Sequence, residues 1–158
     1  MIIAFPDKQV EILDYNRVIK SNLNFKQIHN IISKSFSIKI KKTKKLKKNE
    51  IGMYINNTWY IIKYLKKSKD LNITILKKFI IDKILKNKKN INYVSGIKGD
   101  DILKKLVNSG KFNVAFKLNP TNLLQVMSFA EKKKYMPQKS TWFHPKPLDG
   151  LILSKVIS

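Results

Sequence analysis

Cysteine is absent from this chain of 158 residues, arginine occurs once, at Arg17, and alanine three times, at Ala4, Ala115 and Ala130. Without thiols there is no disulfide framework and no thiolate metal site, which fits a reducing compartment. Acidic side chains are also scarce, 10 against 33 basic ones, for a formal charge of +23. Apolar runs are short, and Asp7 follows Met1-Ile2-Ile3-Ala4-Phe5-Pro6 almost at once, so neither a membrane span nor a secretory leader is expected. The expectation is a cytoplasmic protein.

What abounds is lysine, isoleucine and asparagine, the residues that coding drift in an AT-rich genome supplies. Recognition of phosphate or base edges usually recruits the planar, bidentate guanidinium, and here 32 of the basic residues are lysines. The charge therefore reads as a lysine-covered surface, with nucleic acid a weaker candidate partner. With 43% apolar residues the chain can bury a core, and its length suits a single domain over 1–158.

Residues 2–5 and 10–14 read as short strands, the second leading into Tyr15-Asn16-Arg17-Val18-Ile19. Phe25, Ile28, Ile31 and Ile32 recur at helical spacing behind capping asparagines, with His29 on the polar flank. Asn56-Asn57 between Gly52–Ile55 and Thr58–Tyr64 is a hairpin signal, and Trp59, Tyr60 and Tyr64 read as sheet packing. Ile73, Leu76, Ile80 and Ile84 form the apolar stripe of a helix over 72–85. A strand at 91–94 precedes a helix from about Asp100 to Asn108, whose first-turn acids suit capping better than a metal pair. A strand over 112–118 then leads through Asn119-Pro120-Thr121 into a helix expected to bury Leu123, Val126, Met127 and Ala130. The sum is an α+β fold: a mixed or mainly antiparallel sheet with about four helices packed on it.

Two stretches break the pattern. Residues 39–48 hold seven lysines in KIKKTKKLKK, so 39–50 is expected to be a lysine-rich mobile loop, repelling itself and lacking aromatic side chains for base stacking. Residues 136–151 gather three of the five prolines with Lys139, Ser140, Thr141, Trp142, Phe143, His144 and Lys146. Prolines fix the backbone while lysines and hydroxyls offer donors, the ingredients for holding a phosphate or carboxylate. Lys134 stands where a phosphate-binding loop needs glycine, so a Walker motif is excluded. His144 is the acid/base candidate, though no acidic residue of the loop is an evident orienter, and Trp142 and Phe143 are expected to anchor the loop to the core.

MPQKSTWFHPKPLDGL at 136–151 resembles the carboxy-terminal signature of the bacterial domain of unknown function 1015 family. ILDYNRVIK at 12–20, ITILKKFIIDKIL at 73–85, INYVSG and SGKFNVAFKLNPT resemble further segments of it in the same order. The family is longer, with a Gly-His-His-Arg motif upstream that this chain lacks, so the resemblance is to the carboxy-terminal half. Lys77 and Lys78 stand where its helix often has His-Glu, and His144 where an acid is commoner. The resemblance implies a truncated or split member without independent catalysis. Its loop 136–151 would hold a small anionic ligand through Lys139, Ser140, Thr141 and Lys146, with Asn16 and Arg17 added from the Tyr-Asn-Arg segment.

The family's histidine motif is loosely similar to that of ParB-like proteins, which include nucleotide hydrolases and serine kinases. That implies an alternative, a phosphotransferase acting on a small hydroxyl substrate such as serine once a separately encoded amino-terminal half is supplied. No cofactor or metal ligand set is legible. A half-fold should also expose an apolar patch near its first strand or the 136–151 loop. The third reading is polyanion binding through 39–48. On that reading affinity falls steeply with salt as lysines release counterions; unchanged binding of a fluorescent polyanion after conversion of the 41–48 lysines to glutamine overturns it.

Overall fold

The computed structural model describes residues 11–41, 45–85 and 90–145. β1 (Glu11–Leu13) passes through one residue, Asp14, into β2 (Tyr15–Ile19), followed by α1 (Phe25–Ser33), β3 (Phe36–Ile40), β4 (Glu50–Ile55) and β5 (Thr58–Tyr64). α2 (Asn72–Leu76) continues through a π-helical turn (Lys77–Ile81) into α3 (Asp82–Ile84), so the three form one rod. β6 (Ile91–Ser95), α4 (Gly99–Asn108), β7 (Val114–Lys117), α5 (Leu123–Glu131) and β8 (Trp142–His144) complete the order. The strand expected at 2–5 lies outside the described residues.

Six strands form one sheet in the order β3-β5-β4-β7-β2-β6, and every neighbouring pair is antiparallel; β1 and β8 pair separately, also antiparallel. The α+β expectation with a mainly antiparallel sheet holds among the described residues. Local chemistry explains the corners. Asn56 and Asn57 take φ of 49° and 58°, the left-handed geometry that a two-residue hairpin demands and that asparagine tolerates. α1 and α5 each begin with a reciprocal capping box, Asn24 with Gln27 and Asn122 with Gln125, closing four hydrogen bonds of 2.8–3.0 Å.

The sheet alternation sorts side chains to two faces. Ile19, Met53, Ile62, Val114 and Phe116 meet Ile28 and Ile32 of α1 and Leu76, Ile80 and Ile84 of the rod in the larger core. Val18, Tyr54, Val94 and Ala115 face the other way, onto Leu103 of α4. The π-helical turn adds a residue at the middle of the rod, so Ile80 and Ile81 are both buried along with Ile73 and Ile84. Trp59 packs on Tyr54 with centroids 5.1 Å apart, a sheet contact, and His29 is half-buried against Phe25.

Several expectations are corrected. Lys39 and Ile40 belong to β3, not to a loop. Residues 47–50 are tied down, for Lys47 N–H donates to Glu50 at 2.8 Å and the Asn119 amide donates to the Lys47 carbonyl at 2.7 Å. Specific hydrogen bonds outweigh the charge repulsion there. The acids of α4 make ion pairs instead of caps: Asp101 with Lys104 at 2.8 Å, and Asp100 with the largely buried Lys117 at 2.7 Å. The helix α5 does not bury its expected face; Leu123, Leu124 and Met127 are exposed because no described element lies over them. Phe143 and Tyr135 are exposed as well, so Phe143 anchors nothing.

No helix among the described residues is long and apolar enough to cross a membrane. Phe116 is fully buried on β7, opposite Met53 on one side and Arg17 on the other. Truncating it to alanine is expected to cost about 3–5 kcal/mol, read as a lowered urea midpoint with an unchanged slope.

Candidate functional site

The site begins with a link of one residue. β1 belongs to the two-stranded sheet and β2 to the six-stranded sheet, so Asp14 sits at the corner between them. Opposite it, the Gly96 N–H donates to the Asp14 carbonyl at 2.9 Å. A Cβ on Gly96 would stand 2.4 Å from Asp14 Oδ1, so the side chain occupies space that only glycine leaves open. Burial raises the Asp14 pKa above its ordinary value; its own backbone hydrogen bond and the charges of Lys117 and Arg17 offset part of the rise.

Arg17, on β2, is 2% exposed. Its guanidinium donates to the Tyr15 carbonyl, to the Lys139 carbonyl at 2.8 Å and to the Gln138 carbonyl at 3.5 Å, and it lies 5.4 Å from the Tyr93 ring centroid. Burial lowers its pKa to about 10, with Tyr93 and Asp14 acting in the opposite sense, so the group stays charged at neutral pH. Asn16, also buried, accepts from the Leu118 N–H at 3.1 Å and so extends the β2 to β7 pairing. Ser140 is buried, donates to the Pro137 carbonyl and accepts at its own carbonyl from Thr121 Oγ1 at 3.1 Å.

These contacts close one side of a cleft of about 810 Å³. Asp14, Arg17 and Ser140 form that side; Lys48, Asn49, Lys69 and Asp70 stand across it, and the Asn119–Asn122 entry to α5 supplies the end. Asn72 and Asn119 brace the far wall by donating to the carbonyls of Lys48 at 3.0 Å and Lys47 at 2.7 Å. Three cations, the polar Asn119–Asn122 entry to α5 and two carboxylates make a pocket suited to an anionic group with a polar neighbour.

The sequence-derived set divides accordingly. Arg17 and Ser140 line the cleft. Asn16 acts on the backbone beside it. Lys139 adopts a φ of 54° and swings its ammonium over the Tyr15 ring, 5.3 Å from the centroid, while Thr141 is half-buried and lines no part of the cleft. His144 lies exposed on β8, in register with Glu11, and is not a cleft residue either. Lys146 lies outside the described residues. Trp142 does anchor the segment, meeting Tyr15 edge-on at 5.2 Å. Asp14, Lys69 and Asn119 were missed, and Lys48 entered only as part of the 39–48 tract read for polyanion binding; Asp14 was open to notice as an acid in an acid-poor chain, placed between two strands.

The same fold occurs in solved structures. A point-substituted free serine kinase in complex with AMP aligns at a TM-score of 0.57 and 11% identity, over 85% of this chain and 54% of that one. A free serine kinase variant in complex with ADP aligns at 0.55 and 13% over the same shares. A conserved hypothetical protein from Pyrococcus furiosus aligns at 0.60 and 16%, covering 90% of this chain and 60% of that one. The chain thus spans a little over half the length of these structures. It belongs to the family described as "Protein of unknown function (DUF1015)", whose model matches residues 1–94. None of the curated proteins matches it.

Arg17 has the geometry of a clasp, and lysine cannot reproduce it because a single ammonium does not span carbonyls from two segments. Arg17→Lys is expected to destabilise the fold by about 3 kcal/mol, measured by urea denaturation, since it leaves buried carbonyls unpaired.

Proposed function

We propose that the chain is the ligand-holding part of a phosphotransferase-related fold, binding a small phosphate-bearing molecule in the cleft and transferring no phosphoryl group by itself. The observation that carries this is the convergence of Lys48, Lys69, Arg17 and the start of α5 on one cavity of about 810 Å³, beside the Ser140 segment. Arg17 fixes the backbone of residues 138–139 and contributes positive potential, while Lys48 and Lys69 are exposed and able to close on a phosphate.

Solved structures of the same fold are free serine kinases in complex with AMP and ADP, which supports a phosphate-bearing ligand here. Phosphoryl transfer needs more than a phosphate cradle: an acceptor hydroxyl in line with the phosphorus and groups that neutralise the developing charge. The kinases extend well beyond the part this chain covers. A phosphotransferase acting on a small hydroxyl substrate such as serine is therefore the second reading, conditional on the portion that those longer structures contain.

Isothermal titration with AMP, ADP and inorganic phosphate is expected to show binding to the purified chain, weakened about tenfold when Lys48 and Lys69 both become glutamine. The purified chain is expected to give no phosphoserine from serine with ATP, ADP or pyrophosphate. Robust turnover that disappears in Lys139→Ala would overturn the non-catalytic reading, and absence of any binding would overturn the cleft.

A further inference from the structure

The link between β5 and α2 separates the cleft from a second cavity. Residues 65–70 read Leu-Lys-Lys-Ser-Lys-Asp, and of these Ser68 and Asp70 line both spaces, with Asn49 and Asn72 beside them. This shared rim is hydrogen-bonded. Ser68 Oγ donates to Asp70 Oδ2 at 3.0 Å and accepts from the Asp70 N–H at 3.1 Å, while the Asn72 amide donates to the carbonyls of Lys48 at 3.0 Å and Glu50 at 3.4 Å.

Beyond the rim lies a space of about 320 Å³, with the half-buried Tyr64 and the buried Ile75 in its wall and Lys63, Lys66 and Lys67 around it. None of these three lysines makes an ion pair among the described residues. Against them the described lining holds a single acid, Asp70, whose Oδ2 already accepts from Ser68. An isolated surface lysine is an ordinary solvated charge. Three on a concave, partly apolar wall differ, because low-dielectric walls focus their potential into the space between them. A cation is repelled there and a neutral guest leaves the ammonium groups unanswered, so the complement is an anion.

Resting on the anion-binding reading of the cleft, we propose that the second cavity is a further phosphate subsite and that the ligand carries two phosphate groups on a spacer. One phosphate sits beside Lys48 and Lys69, the other across the Ser68–Asp70 rim beside Lys63, Lys66 and Lys67. Holding the first raises the effective concentration of the second at its subsite, and the gain is greatest when the spacer matches the span. A lysine-covered surface without defined subsites has no such length optimum.

Titration calorimetry with α,ω-alkanediyl bisphosphates of increasing chain length, each against the n-alkyl monophosphate of the same length, reads that span. The wild-type chain is expected to prefer the bisphosphate by at least about tenfold at one spacer length, with smaller preferences on either side. Replacing Lys63, Lys66 and Lys67 together by glutamine is expected to bring the ratio to near one and to leave monophosphate affinity unchanged. Replacing Lys26, Lys34 and Lys105, which line neither cavity, removes the same charge and is expected to keep the preference. All six side chains are exposed, so both variants are expected to fold. A ratio near one at every length, a ratio with no length optimum, or a ratio indifferent to which triple is replaced overturns the second subsite and leaves the cleft standing. Failure of monophosphates and bisphosphates alike to bind overturns the cleft reading, and the second subsite falls with it.

Discussion

The guanidinium of Arg17 is the contact on which the arrangement of the cleft depends. From β2 it reaches backward to the Tyr15 carbonyl and across more than a hundred residues of chain to the carbonyls of Gln138 and Lys139. A buried cation is expensive unless its donors are used, and here the donors are used on main-chain oxygens. The charge thus holds residues 138–140 against the sheet, where Ser140 can face the cavity and Trp142 can meet Tyr15. Tyr15 in turn lies under the Lys139 ammonium, so one short stretch of β2 grips the signature segment by hydrogen bonds, by a ring edge and by a cation over a ring face.

Asparagine does comparable work on the opposite wall. Asn24 and Asn122 start helices, Asn56 and Asn57 turn a hairpin, and Asn72 and Asn119 reach over to the carbonyls of residues 47–48. A residue enriched by compositional drift has been placed where a short side chain with both a donor and an acceptor solves a local backbone problem. The lysine tract therefore enters the cleft wall at a defined place, despite a repulsion that would otherwise keep it away.

Much of this was legible in the sequence wherever the controlling physics is local. The Asn56-Asn57 pair and the 3–4 spacing of Ile73, Leu76, Ile80 and Ile84 both act within a few residues. β3 was overlooked although Phe36-Ser37-Ile38-Lys39-Ile40 alternates as a strand should, because the lysines that follow it dominate the reading. The apolar side of α5 looked like a core face because spacing reveals amphipathicity but not what lies opposite. The cleft was illegible for a deeper reason: Asp14, Lys48, Lys69, Asn119 and Ser140 come from five separate segments, and only the sheet order brings them together. Arg17 drew attention as a ligand residue through its neighbours in sequence; its partners are carbonyls far along the chain.

Confinement of the lone guanidinium to the interior also defines the chemistry of the exterior. Every basic side chain other than Arg17 and the two histidines is a primary amine. Among the described residues, one of these amines, Lys117, is largely buried against Asp100. Acylation, or any other reaction selective for amines, could thus strip the outer charge and bring a molecule of pI about 10.1 far down the scale while the guanidinium that fastens the cleft remained out of reach. Surface charge and internal architecture are carried by different functional groups, and a single reagent can tell them apart.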